Sequence, residues 1–181
     1  ITGLVGSEMC IRDRIDGEPL CEVDFSANHL RLAMSVLHDE DIGDTPYEDI
    51  MEIAQLRDRS LVKTFVTRAL GADSRTAANS GWNKEKLGAR LFEQIELAVM
   101  KRFPKLKLYD AWGIQAQNLE GAMLRHVMLQ GIEKDIVCLP VHDAIAVPQQ
   151  HEKWAVDAML EAWERIGVRN ASSARARVKV D

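Results

Sequence analysis

Leu20-Cys21-Glu22-Val23-Asp24-Phe25-Ser26 is the stretch on which the fold turns, and it reads as a strand that places an aspartate at the end of an apolar run. A second such place lies far along the chain. Ile136–Val141 and Ala144–Val147 are two apolar runs separated by His142-Asp143, the pattern of a hairpin with an acid at its turn. A carboxylate at the tip of a buried strand is costly unless something pairs with it. Two such strands side by side would set Asp24 and Asp143 where they could hold divalent metal ions.

Between and after these strands the pattern is helical. Leu30, Met34 and Leu37 share one face of a helix expected from about Asn28 to His38. Asp39–Asp44 is an acidic link, after which Thr45-Pro46 opens a short helix with Pro in the first turn and Glu48 and Asp49 near its positive end. A helix from about Ser60 to Leu70 should stop at Gly71. Asn83 is the expected cap of the next helix, which carries Leu87, Leu91, Ile95 and Val99 at four-residue spacing and runs to about Arg102. Another helix is expected from roughly Leu119 to Gln130. A last one carries Val156, Met159, Leu160 and Trp163, and Arg175–Val180 alternates like a closing strand. The order is strand, five helices, hairpin, helix, strand. It predicts an α+β fold: an antiparallel sheet with helices packed on one face.

Composition narrows the class. With 46% apolar and 28% charged residues and a net charge of −5, the chain is an ordinary globular protein and a poor histone-like DNA coat. No apolar stretch approaches a membrane span. Residues 1–14 are expected to be foreign: Leu4-Val5-Gly6-Ser7-Glu8-Met9-Cys10-Ile11-Arg12-Asp13 is what ten consecutive codons of a transposase-based sequencing adapter encode. On that reading residues 15–181 form the native part, and whatever preceded Ile15 is lost. Cys21 and Cys138 lack metal-type spacing and suggest buried, reduced thiols in a cytoplasmic protein.

Five motifs in order carry a resemblance. Asp24-Phe25-Ser26-Ala27-Asn28-His29-Leu30-Arg31 resembles motif A of the family A, DNA polymerase I-like enzymes, D-[YF]-S-x-x-E-x-R. Arg59-x-x-x-Lys63 before Leu70-Gly71 resembles motif B, and Val141-His142-Asp143 resembles the V-H-D of motif C. Arg102-Phe103-Pro104 and Leu119-Glu120-Gly121 are similar to the family's R-Y-P and M-Q-G. The resemblance covers about Leu20 to the end. It implies a palm sheet with reduced helical fingers, an upstream thumb or exonuclease region, and template-directed nucleotidyl transfer in DNA replication, of a phage or mobile-element type. The implied cofactor is Mg²⁺, or Mn²⁺, and the implied partners are primer-template DNA and nucleoside triphosphates. Asp24 and Asp143 would be the catalytic, metal-holding pair, with the Phe25 carbonyl as a further metal contact. Arg59, Lys63 and His29 would meet the nucleotide; His142 and Arg31 would meet primer or template.

The residues themselves support parts of this. Two-metal polymerisation needs acids that hold ions about 3.5–4 Å apart. Arg59 and Lys63, four apart, share a helical face, and an anion between them relieves their mutual repulsion. A bland reading stands beside each: Asp24 as cap of the helix at Asn28, Arg59 and Lys63 as a solvated face, Arg31 as a helix charge pair, His142 as a turn histidine, and Phe25 with its side chain in the core. The chain departs from the family at His29 (Glu in motif A), Thr67 (usually aromatic), Leu70 (Tyr before the Gly of motif B) and Ala144 (the acid after motif C). These departures leave sugar and template preference open. They also keep a second class in play, a catalytically degenerate polymerase fold that binds nucleic acid or a replication partner.

Overall fold

The computed structural model describes residues 14–15, 17–167 and 176–180. The expected adapter-derived residues 1–13, and Arg175 at the start of the expected closing strand, lie outside them. The fold is α+β, as the element pattern predicts, and it divides into two compact units.

The first unit is built on the antiparallel sheet. Its strands are β1 (Arg14–Ile15), β2 (Glu18–Phe25), β3 (Leu139–Val141), β4 (Ala144–Pro148) and β5 (Val178–Val180). β4 runs along one side of β2 from Leu20↔Pro148 to Asp24↔Ala144, while β1 and β5 pair with β2 near its start and its end. Arg14, the last residue of the expected scar, pairs with Pro19 and so joins the sheet. Because side chains alternate along a strand, Cys21, Val23 and Phe25 face one way, and all three are buried. Helix α7 (Glu152–Ala162) packs against β2, β4 and β5, reached through a 3-10 turn (Gln149–His151) and followed by a π turn (Trp163–Gly167). Its first residue, Glu152, helps to raise the pKa of Cys21, after the larger effect of burial. Asp24 and Glu22 belong to the strand face opposite Cys21. β3 is the sheet's edge, and its exposed Leu-Pro-Val carries a proline, whose missing N–H discourages further strand pairing.

The second unit is helical. It contains α1 (Asn28–His38), α2 (Pro46–Ala54), α3 (Arg59–Gly71), α4 (Arg75–Lys84) and α5 (Ala89–Arg102); residues 112–119 of α6 (Trp112–Glu133) belong to it, and the rest of α6 to the sheet unit. α1 occupies the expected span, with Leu30 and Met34 fully buried, but Leu37 is 46% exposed. The N-cap residue of α1 is Ala27, in the left-handed region, and not Asp24. α2 begins at Pro46 with Glu48 and Asp49 in its first turn, as expected.

Asn83 is also corrected. It lies inside α4, a helix the sequence reading passed over, and Gly88 (φ 81°) is the N-cap of α5. The chain therefore has six helices between its first strands and the hairpin, where five were expected. α4 buries just Ala78 and Trp82, too thin an apolar stripe to stand out from its neighbours, although Ser74 caps it by accepting from Ala77 N at 3.2 Å. Trp82, Phe65 and Phe92 form a cluster of edge-on rings with centroids 4.9–6.1 Å apart, and Trp82 Nε1 donates to Gly88 O at 2.9 Å.

Candidate functional site

At the end of β2, Asp24 stands in one cross-strand row, with Ala144 of β4 on one side and Lys179 of β5 on the other. Directly opposed residues have Cβ atoms about 4.5–5.5 Å apart. Asp143 is the residue next to Ala144, in the two-residue turn that joins β3 to β4, so the expected hairpin brings the second acid to the register neighbour of the first. His142 precedes it with φ 55°, a backbone region that histidine enters more readily than a β-branched residue. Val23 and Phe25 anchor the row from the core side at 0% and 3% exposure, which agrees with a core role for the Phe25 side chain; in the backbone ladder Phe25 pairs with Val178.

Asp24 is largely enclosed. Its Oδ1 is shielded from solvent, and its Oδ2 lies 3.2 Å from the Lys179 ammonium. Its side chain is 19% exposed, that of Lys179 54%, while Asp143 is half-buried. Among the described residues no three His, Cys, Asp or Glu side chains cluster as a metal cage. Mg²⁺ is commonly held by one or two carboxylates, with water and substrate phosphates completing its octahedron, and Asp24 and Asp143 are the two acids that the register brings to this end of the sheet.

The other residues assigned through the resemblance belong to the helical unit. Arg59 is the first residue of α3, a poor place for a cation because of the helix dipole. Acids offset this: Asp58 caps the helix by accepting from Ser60 N at 2.8 Å, and Arg59 Nε donates to Glu48 Oε1 at 2.7 Å. The guanidinium also stacks 4.9 Å from the Tyr47 ring centroid. Lys63, one turn on, is exposed on the same helix. Arg31 is 1% exposed and donates to Gly43 O at 2.9 Å and to Asp41 Oδ1 at 3.4 Å, so its guanidinium fastens the link after α1. The backbone oxygen of His29 accepts from Trp112 Nε1 at 3.2 Å. Arg102 donates to Asp49 Oδ2 at 2.9 Å, and Lys105 pairs with Glu40 at 3.1 Å.

Two features escaped the sequence reading. One is Lys179 as the partner of Asp24. Its strand was legible, but nothing in the local sequence says which strand it pairs with or in what register. The other is a charged knot in the helical unit. Arg75 holds the Glu96 carboxylate through three contacts of 2.6–3.0 Å, and Tyr109 OH donates to Glu96 Oε1 at 2.5 Å. Arg75 holds the Glu96 carboxyl below the usual range against the opposing effect of burial, while burial, and then Glu96, push the Tyr109 phenol up. Glu96 sits on the buried side of α5, where an acid breaks the apolar pattern, and that break was the one available signal.

The fold is α+β, with Asp24 on β2 and Asp143 in the β3–β4 turn near one end of its sheet. Comparison with protein-family models and with curated proteins returned no match. Among the described residues no helix is long and apolar enough to cross a membrane.

Proposed function

We propose that the chain carries a template-directed nucleotidyltransferase site of the family A DNA polymerase type, with Asp24 and Asp143 as its metal-holding pair. The observation that carries this reading is the register Asp24↔Ala144, which makes two acids from distant parts of the sequence close neighbours at one end of the sheet. Divalent ions held there would supply activation of a primer 3′ hydroxyl and neutralisation of triphosphate charge. The enclosure of Asp24 limits where its carboxylate can move. On the resemblance, the Phe25 carbonyl adds a metal contact. The resemblance assigns Arg59, Lys63 and His29 to the nucleotide. His142 and Arg31 are assigned to primer and template.

One observation favours a second reading, the degenerate binding module. Lys179 already neutralises Asp24, and Ala144 stands where a third acid would help. Primer extension with Mg²⁺ or Mn²⁺ separates the two readings. The catalytic reading expects nucleotide addition that falls by at least about 10²-fold in Asp24→Asn and in Asp143→Asn. Binding of primer-template without addition under either metal favours the module.

A further inference from the structure

We infer that Lys179 is the resident counter-cation of Asp24, and that a divalent ion entering the site must displace its ammonium from Oδ2. The inference rests on the metal-binding reading of Asp24 and Asp143. β5 sets Lys179 directly opposite Asp24, and Ser26 N donates to Arg177 O at 2.8 Å, which ties the chain before β5 to the end of β2. With Oδ1 shielded from solvent, Oδ2 is the oxygen that meets the ammonium, at 3.2 Å. A largely enclosed carboxylate needs a positive partner when no metal is bound, and this lysine supplies one. The choice of lysine matters. A compact charge on a flexible four-carbon stem, half exposed, leaves for solvent more readily than the rigid fork of an arginine held by two bonds. Lys179 therefore acts as a positioning residue, holding Asp24 in place in the metal-free protein and setting a threshold for metal entry.

The test is Mn²⁺ titration of the 181-residue chain, with free Mn²⁺ followed by electron paramagnetic resonance. A half-exposed ion pair withholds up to about 1 kcal/mol, a factor of about five, so Lys179→Met and Lys179→Gln are expected to bind Mn²⁺ about two- to fivefold more tightly than the unaltered chain. Lys179→Arg, which keeps the charge, should bind no more tightly than the unaltered chain. Thermal unfolding without metal gives the second readout: Lys179→Met should melt lower, and added Mn²⁺ should raise its melting temperature more than that of the unaltered chain. A merely structural lysine would lower the melting temperature without changing affinity. Equal or weaker Mn²⁺ binding by folded Lys179→Met and Lys179→Gln, with binding of the unaltered chain still lost in Asp24→Asn, overturns the inference and leaves the metal site standing. If neither the unaltered chain nor the Lys179 variants bind Mn²⁺ in a way that depends on Asp24, the metal site itself fails and the inference with it.

Discussion

A carboxylate as enclosed as Glu96, at 8% exposure, has to be neutralised by what touches it, and Arg75 and Tyr109 both do so. Tyr109→Phe removes one donor to a charged acceptor and is expected to cost about 1–2 kcal/mol in denaturant unfolding. The pH dependence has two limbs. The Glu96 carboxyl is depressed in the folded chain, chiefly by Arg75, so its stabilisation is present above the unfolded value of about 4.3 and is lost as pH falls through the lower native one. Tyr109 is raised, chiefly by burial, so its share is present below about pH 10 and is lost as pH rises beyond it. Urea midpoints measured across pH should fall on both sides, and Tyr109→Phe should flatten the alkaline fall. Legibility was uneven at this scale. Asp24 and Asp143 stood out because each ends an apolar run. Lys179 and Tyr109 did not, because neither local pattern nor spacing says which distant acid a side chain will meet.

Elements were legible in proportion to their apolar stripe. α1 and α2 carried helical spacing or a proline start and fall where expected, and α3 came within a residue at each end. α4 carried neither, and Asn83 inside it imitated a cap for the next helix. What holds α4 is Trp82, fully buried against Phe65 and Phe92. Trp82→Ala is expected to cost about 3–5 kcal/mol, read from denaturant unfolding, with the helical unit weakened first. α6 is longer than its apolar spacing suggests at both ends, starting at Trp112 and not Leu119, and ending at Glu133 and not Gln130. Gly131 lies in its last turn, where Ile136 N donates to Gly131 O at 2.9 Å and turns the chain toward β3. A Cβ there would collide with Cys138 Sγ and come within 3.0 Å of Ile136 O. Gly131→Ala is accordingly expected to cost about 1–3 kcal/mol in the same assay and to perturb amide signals of the hairpin that carries Asp143.

At the scale of the whole molecule, the class was readable because strand and helix periods differ and because the hairpin signal at His142-Asp143 is short-range. The division into a sheet unit and a helical unit was not readable, since no linker composition marks Ser26-Ala27 or Leu119-Glu120. The central claim concerns the sheet unit: a strand and a hairpin turn, about 120 positions apart in sequence, exist to bring two acids to one place. The most direct measurement is anomalous diffraction from crystals of the chain soaked in Mn²⁺ with a nucleoside triphosphate. The account predicts a manganese peak within coordination distance of both the Asp24 and the Asp143 carboxylates, with the Lys179 ammonium displaced. A manganese peak bound elsewhere, or Asp24 still paired with Lys179 at saturating Mn²⁺, would contradict it.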